Sequence, residues 1–309
     1  MKSKIWYVAG GMVLLLLGAL ATQIHGDLAP GELETRYTDG ASRFIKLDIH
    51  PRVHYRDEGP RDAPVIILLH GTAASLHTFD ELTRRLIRRY RVLRFDLTGF
   101  GLTGPCDACE YTPREDAEVL RQFMSALGVK RAVIAGNSLG GRIAWEFGLR
   151  HPSAAQALVL LNPLGYPWPE KPMGIAMARV PVLGKIQRWL TPRSLIRKSL
   201  LEAYYNDEMV TDELVERYFV LLRRKGNRAA FVTRVNVELD VDSARIPELK
   251  VPVQVLWGKG DIWLPLAQAK LWQKDLPKDA VRIYPGVGHM PQEEIPDKVA
   301  AQIFKLLER

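Results

Sequence analysis

The stretch Ala132-Val133-Ile134-Ala135-Gly136-Asn137-Ser138-Leu139-Gly140-Gly141 passes from an apolar run into a turn rich in glycine. The apolar run predicts a short buried strand, and the residues from Arg142 to Leu149 predict a helix directly after the turn. A serine between such a strand and helix stands clear of the backbone in strained geometry, which small neighbours permit. Ser138 is therefore a candidate nucleophile, and the free N–H groups at the start of the helix favour a developing oxyanion beside it. The alternative is a glycine-rich helix start that Ser138 only caps.

Further strands are predicted on both sides of this turn. Continuous apolar segments rich in β-branched residues are typical of strands covered on both faces. Strands that alternate with helices predict an α/β fold, in which a mostly parallel sheet is flanked by helices. With the strand before Ser138 we expect eight strands, and the others lie at Arg43–Tyr55 (a strand pair), Val65–Leu69, Tyr90–Leu97, Ala157–Leu161, Val253–Trp257 and Ala280–Tyr284.

The alternation stops between Pro163 and Ile246, where helical stretches follow without a clear buried strand. This interruption predicts a helical cap inserted into the core. The expected organisation is an apolar N-terminal segment over residues 1–24, a first core part over 43–162, the cap over 163–246 and a second core part over 247–309.

A serine nucleophile needs a base to take its proton and an acid to orient that base. Of the 7 histidines, only His289 follows the last predicted strand. Asp261 follows the strand before it, at the same edge of the sheet, and is the candidate acid. Asp240 and Asp242, in the predicted cap, are alternatives. The sixth predicted strand ends instead at Asn162, where an amide stands in place of an acid, and this favours Asp261.

Four motifs accompany these residues: His70-Gly71, Asp96-Leu97-Thr98-Gly99-Phe100-Gly101-Leu102-Thr103, Trp257-Gly258-Lys259-Gly260-Asp261 and Gly288-His289-Met290. With the turn at Ser138 they make the chain, from about Phe44 to Leu307, resemble the α/β-hydrolase superfamily, in the branch with a helical cap after the sixth strand. The resemblance implies that Ser138, Asp261 and His289 act together. It also implies an oxyanion hole made by the backbone N–H groups of Leu139 and Thr72, with Ala73 as the alternative to Thr72.

The type of nucleophile narrows the reaction. Relatives of this fold that open epoxides or remove halides carry an aspartate where this chain carries Ser138. Relatives that hydrolyse carbon–carbon bonds typically have a glycine- and proline-rich oxyanion loop and a tryptophan after the histidine, where this chain has His70–Ala74 and Met290. We therefore expect hydrolysis of a small-molecule ester or similar acyl compound through an acyl-serine, with no metal or cofactor. A carbon–carbon bond hydrolase or an acyltransferase with the same three residues is the alternative, and a non-catalytic binding protein on this fold is a further one.

The choice of substrate would belong to the cap. Large cap side chains could line an apolar pocket for an acyl or aromatic group, although packing of the cap on the core would account for most of them: Trp168, Met173, Met177, Trp189, Tyr204 and Tyr205.

The N-terminus has the pattern of a membrane segment. Ile5 to Thr22 carries no charge and follows Lys2 and Lys4, and its length is close to the lower limit of roughly 17 residues for a span. An uncleaved anchor and a cleaved signal peptide both fit, since Ala19-Leu20-Ala21 has the form of a cleavage site. We expect an exported catalytic domain, anchored in the membrane in the first case and secreted or periplasmic in the second.

The net charge of +8 does not predict a nucleic-acid-binding protein, because the cations are scattered and no recognition motif or aromatic platform accompanies them. The densest cluster, from Arg84 to Arg91, is typical of a solvated helix face. Cys106 and Cys109 cannot form a four-ligand zinc site alone. A small-loop disulfide and two free thiols are both consistent with their position.

Overall fold

Eight strands form the central sheet: β1 (Ser42–Ile45), β2 (Val53–Glu58), β3 (Val65–Leu69), β4 (Arg91–Phe95), β5 (Ala132–Asn137), β6 (Ala155–Leu161), β7 (Val253–Gly258) and β8 (Val281–Tyr284). Their order in the sheet is β1-β2-β4-β3-β5-β6-β7-β8. The pairings of β2 with β1 and β4 are antiparallel, and the remaining pairings are parallel. The predicted fold class, a mostly parallel eight-stranded sheet flanked by helices, is therefore confirmed.

The computed structural model describes residues 25–50, 52–168, 171–237 and 242–307. Its helices, in chain order, are α1 (Pro30–Tyr37), α2 (Asp80–Leu86), α3 (Pro113–Ala126), α4 (Leu139–Arg150), α5 (Met173–Arg179), α6 (Pro181–Gln187), α7 (Arg193–Ala203), α8 (Asp212–Leu222), α9 (Asn227–Asn236), α10 (Leu266–Asp275), α11 (Pro291–Glu294) and α12 (Pro296–Leu307).

The central strands are buried on both faces because successive side chains point to opposite sides of the sheet. On β3, Ile67 and Leu69 belong to an apolar cluster with residues of α3 and α4, whereas Ile66 and Leu68 belong to a second cluster with residues of α2 and α12. The parallel strands end at one edge of the sheet, so the loops after β3, β5, β6, β7 and β8 meet there.

The cap, defined here as residues 163–246, contains α5 to α9 and lies over this edge. Helices therefore follow β6 as expected, while the limits of the cap stay predictions. The first described residues also contact the cap, since the Leu28 N–H donates to the Arg223 carbonyl at 2.8 Å. Leu33 of α1 packs in a cluster with Phe219 and Val220 of α8.

The predicted N-terminal segment, residues 1–24, lies outside the described residues. Within the ranges that the structure describes, no helix is long and apolar enough to cross a membrane. Cys106 and Cys109 form a disulfide in the loop before α3, with their Cα atoms 5.3 Å apart. In the arginine cluster, Arg85 pairs with Glu81 and with Asp297 of α12.

Candidate active site

Ser138 occupies the single position between β5 and α4, with φ 54° and ψ −112°. This backbone geometry is costly for a residue with a side chain and is held by the elements on either side. Two glycines leave room for it. A Cβ on Gly136 would lie 2.2 Å from the carbonyl oxygen of Gly140, and a Cβ on Gly140 would lie 2.1 Å from the Leu69 carbonyl oxygen. The sharp turn therefore requires glycine at both positions.

His289 lies in the loop after β8 and is joined to Asp261, which follows β7. The distance from His289 Nδ1 to Asp261 Oδ2 is 2.6 Å, and both side chains are buried. The ring donates from Nδ1 to the carboxylate, which leaves Nε2 as the acceptor that a general base requires. The other carboxylate oxygen, Oδ1, accepts the backbone N–H groups of Trp263 and Leu264, each at 2.9 Å.

Asn162 contributes a further donor to this acid. Its Nδ2 donates to Asp261 Oδ2 at 2.5 Å, and its Oδ1 accepts the Gly258 N–H at 3.1 Å. In the sequence, Asn162 indicates only that no acid follows β6. In the structure Asn162 contacts Asp261 and helps to position it. The contact is possible because β6 and β7 are neighbours in the sheet.

Asn137, directly before Ser138, also makes contacts in the site that were not predicted from the sequence. Its Nδ2 donates to the carbonyl oxygen of Leu161 at 3.1 Å and to that of His289 at 2.9 Å. The residue beside the candidate nucleophile thus holds the backbone of the candidate base. Its place inside the Gly-x-Ser-x-Gly motif was the available signal.

The loop after β3 approaches Ser138 from the other side. A Cβ on Gly71 would lie 3.3 Å from Ser138 Cβ, so this glycine permits a close approach. Thr72 and Ala73 follow, the latter with φ 58°, and both border the same pocket as Ser138. Leu139 is the first residue of α4, so its N–H has no acceptor one turn back in the helix. Of the two expected oxyanion donors, Thr72 thus borders the same pocket as Ser138, and Leu139 follows Ser138 directly in the chain.

Buried polar side chains fix this loop. His70 Nδ1 donates to the Gly71 carbonyl at 2.8 Å, while its Nε2 accepts the Leu97 N–H at 2.9 Å. Burial lowers the pKa of His70 below its ordinary value, which agrees with the neutral ring that these two hydrogen bonds require. His70 therefore has a positioning role in this loop.

Asp96 has a similar structural role. It accepts the Leu76 and Leu102 N–H groups and lies 2.8 Å from His54 Nδ1. Burial alone would raise the pKa of Asp96, but the hydrogen bond and charge of His54, together with His70 and His77, outweigh it and hold this pKa well below the ordinary range. A Cβ on Gly101 would lie 2.2 Å from Asp96 Cγ, so the glycine-rich loop closes around the carboxylate.

A pocket opens between these loops and the cap. Ser138 and His289 lie at its floor with Met290 and the loop after β3, and the cap covers them with mostly apolar side chains. Its lining from the cap and from the loop after Asp261 includes Trp168, Pro172, Ile175, Leu195, Ile196, Leu200, Leu222, Phe231 and Trp263, together with Gln187, Thr191, Ser199, Tyr218 and Arg228.

Of the two alternative acids, only Asp242 lies in the part of the chain that the structure describes, and no hydrogen bond or ion pair joins it to His289. Asp242 is half-exposed and lies 3.9 Å from Arg245 beside it in the chain, and Asp240 lies outside the described residues.

Comparison with known protein families agrees with this geometry. Residues 66–302 match the model of the alpha/beta hydrolase family. The chain belongs to that family. An uncharacterised hydrolase of Bacillus subtilis is 25% identical over 252 residues, 81% of this chain and 91% of that protein. A 2-hydroxy-6-oxononadienedioate/2-hydroxy-6-oxononatrienedioate hydrolase of Comamonas testosteroni is 26% identical over 255 residues, 80% of this chain and 87% of that one.

Several solved structures are similar to this alpha/beta hydrolase over most of its length. A membrane phospholipase A, described as a bacterial virulence factor, superposes with a TM-score of 0.71 at 23% identity, covering 100% of this chain and 98% of its own. A meta-cleavage product hydrolase of Pseudomonas fluorescens gives a TM-score of 0.74 at 22% identity, covering 86% and 97% respectively. At these identities the likeness shows the fold alone.

In this alpha/beta hydrolase the cap forms direct hydrogen bonds with the loop that carries His289 and with the helix that follows it. The His289 N–H donates to the carbonyl oxygen of Ala203, the last residue of α7, at 2.7 Å. Tyr204 Oη donates to Glu293 at 2.5 Å, and the Tyr205 N–H donates to Glu294 at 2.9 Å. Burial raises the pKa of Glu293 to about 7, against the opposing effects of Arg217 and Tyr204.

The cap residues that the sequence suggested for a pocket lie in different environments. Trp168 borders the pocket. Tyr204 is buried on Glu293, while Trp189 and Tyr205 are 72% and 59% exposed. Trp189, Tyr204 and Tyr205 thus do not line it. All three follow the ends of α6 and α7, where helical spacing does not predict the direction of a side chain.

Proposed function

We propose that the protein is a serine hydrolase that cleaves a carboxylic ester with an uncharged, largely apolar acyl group. The observation that carries this proposal is the 2.6 Å hydrogen bond between His289 Nδ1 and Asp261 Oδ2 at the floor of a mainly apolar pocket that Ser138 also borders. A histidine held in this tautomer activates a serine by accepting its proton at Nε2.

The proposed reaction has two steps. Ser138 Oγ attacks the ester carbonyl while His289 Nε2 takes the hydroxyl proton, and Asp261 stabilises the imidazolium that forms. The N–H groups of Leu139 and Thr72 would bind the oxyanion. His289 then gives its proton to the departing alcohol, leaving an acyl group on Ser138. Water, activated by His289 in the same way, releases the carboxylic acid.

The lining of the pocket supports an uncharged acyl group. Among its described lining residues Arg228 is the one charged side chain, and its guanidinium already pairs with Asp27 at 2.6 Å. Burying a carboxylate without a free cationic partner is costly. The pocket therefore suits an ester better than a doubly charged acid.

A carbon–carbon bond hydrolase is the second candidate, because relatives at 26% identity carry the names of hydrolases of 2-hydroxy-6-oxo dienoates. The test is a panel of p-nitrophenyl esters of increasing acyl length, measured against a 2-hydroxy-6-oxo dienoate. We expect turnover of the esters and little of the dienoate. The reverse preference would overturn the proposed substrate class while leaving the serine mechanism in place.

A further inference from the structure

The outer face of α5, α6 and the turn that follows is apolar and exposed. Val182 is 68% exposed and Trp189 72% exposed. Met173, Val180 and Ile186 are also exposed on this stretch. We call these five residues the cap patch. Large apolar side chains grouped on a surface are typical of a site that another apolar surface covers.

In the stretch of sequence that carries the cap patch, the charged residues are all positive. From Lys171 to Leu201 the sequence contains no Asp or Glu. Arg193 and Arg197 pair with Asp212 at the start of α8. The cations Arg179, Lys185, Arg188 and Lys198 are exposed. An exposed apolar group surrounded by cations is the pattern of proteins that lie on anionic membrane surfaces.

A second hollow lies beside the cap patch between α6 and α9. Arg179, Lys185 and Arg188 line it, and its described lining contains no carboxylate. Its other walls are small, apolar or amide side chains, such as Val232 and Asn236. The hollow is thus suited to an anionic headgroup held by several cations.

The described chain also begins at this face. Arg228 Nη1 donates to the carbonyl oxygens of His25, at 3.0 Å, and of Trp189, at 2.6 Å. Residues 1–24, predicted as a membrane anchor or signal, directly precede His25 in the sequence. On their inner side the same cap helices contribute Ile175 and Gln187 to the substrate pocket.

We propose that the cap patch docks on a bilayer that contains anionic phospholipid, with Val182 and Trp189 in the interface and Lys185 and Arg188 on the headgroups. Charge complementarity favours this occupant over two others. A second copy of the chain would bring like charges together across a symmetric interface. Residues 1–24 contain no Asp or Glu and could not neutralise the cations. The inference concerns binding, so it does not depend on the proposed reaction.

The test uses the full-length protein with vesicles of phosphatidylcholine, with or without phosphatidylglycerol. The emission of Trp189 is obtained as the difference between the wild type and Trp189→Phe. We expect Trp189 to become protected from acrylamide and quenched by brominated lipid, and to do so only when phosphatidylglycerol is present. This readout reports on the cap patch itself, even if residues 1–24 hold the protein on every vesicle.

Charge reversal tests the role of the cations. In the double variant K185E/R188E, the affinity of the cap patch for vesicles with phosphatidylglycerol, measured as protection of Trp189, should fall by about 25-fold or more, since each cation near an anionic surface contributes on the order of a fivefold change. The matched control is K270E/K274E, which reverses two exposed cations on α10 beside the exposed Leu271 and should behave as the wild type. Unchanged melting temperatures would show that both variants fold.

Three results would each overturn the proposal. Trp189 could stay accessible to acrylamide on phosphatidylglycerol vesicles. It could be protected equally without anionic lipid, which would indicate coverage by another part of the protein or by a second copy. The control variant could lose protection as strongly as K185E/R188E, which would show a general effect of net charge.

Discussion

The carboxylate of Asp261 receives hydrogen bonds on both oxygens. Oδ1 accepts two backbone N–H groups of its own loop, at Trp263 and Leu264, and Oδ2 accepts from His289 and from the Asn162 amide. The backbone contacts fix the rotation of the carboxylate, and Oδ2 is thereby aimed at His289 Nδ1. The orientation of the imidazole thus depends on the hydrogen bonds that Trp263, Leu264 and Asn162 donate to the acid.

Asp261→Asn tests the acid. The amide would favour the wrong imidazole tautomer, so kcat should fall about ten-thousand-fold while the fold persists. The measurement is steady-state hydrolysis of the best p-nitrophenyl ester. Asp242→Asn is the matched control, and near-normal activity of D261N together with an inactive D242N would show that the acid has been misassigned.

Asn162→Gly tests the positioning of that acid. Glycine is the suitable replacement because Asn162 has φ 42°, a left-handed conformation that glycine adopts without strain. Loss of one donor to a buried carboxylate should cost roughly 1.4 kcal/mol in the transition state, or about tenfold in kcat, with little change in KM. An unchanged kcat, or a loss confined to KM, would argue against a positioning role.

At the scale of whole elements, the site depends on close contact between the end of β7 and the loop that carries His289. A Cβ on Gly258 would lie 1.9 Å from the Gly288 carbonyl oxygen and 2.5 Å from that of Val287. No side chain fits there. The acid and the base can approach each other only because the strand ends in glycine.

Gly258→Ala should therefore separate the two loops. We expect a loss of about 1–3 kcal/mol in the free energy of unfolding, typical of overpacking, together with a marked fall in kcat. Thermal unfolding and ester hydrolysis measure the two effects. Gly31→Ala in α1 is the control, since nothing lies within 4 Å of its added Cβ. A G258A protein as stable and active as G31A would show that the contact is not tight.

Elements with local signals could be predicted from the sequence. Thr112 and Glu115 predict the start of α3, and Thr112 Oγ1 indeed accepts the Glu115 N–H at 3.1 Å. The apolar runs predicted the strands in the same way. The spacing of residues from Phe79 to Arg89 predicts a helix. The observed helix α2 is shorter, and a 3₁₀ turn over Leu76–Phe79 precedes it. Asp96, from a distant loop, binds the Leu76 N–H and fixes the chain there.

Contacts between distant segments could not be predicted. The order of the motifs pointed to Ser138, Asp261 and His289. The structure joins Asp261 to His289 by a hydrogen bond and places Ser138 and His289 at one pocket. The contacts of Asn137 and Asn162 depend on the pairing of β5, β6 and β7, which no short stretch of sequence specifies. The faces of the cap helices were equally undetermined.

At the scale of the whole molecule, cap and core are coupled through a buried acid. Glu293 lies four residues after His289, accepts a hydrogen bond from Tyr204 and lies 3.5 Å from Arg217 of α8. Because burial raises the pKa of Glu293 from 4.5 to about 7, the folded protein favours its protonated form. Its contribution to stability is complete below about pH 4.5 and is lost as the pH rises through about 7.

Glu293→Gln should remove this pH dependence. Between pH 4.5 and 7 the free energy of unfolding of the wild type should fall relative to that of E293Q, by on the order of 3 kcal/mol or less. Denaturant unfolding at closely spaced pH values gives both curves, and taking their difference cancels the titration of the other buried groups. Parallel curves across this window would contradict the assignment.

The central claim is that Ser138 carries the acyl group during turnover. The most direct measurement is rapid quenching of the protein with a slowly released p-nitrophenyl ester, followed by intact-mass and peptide analysis. We predict a burst of about one p-nitrophenolate per active site, an acyl adduct on the peptide that contains Ser138, and no adduct in Ser138→Ala. In that variant kcat should fall by on the order of a million-fold or somewhat less. Undiminished ester hydrolysis by S138A, or an adduct on another residue of the wild type, would contradict the account.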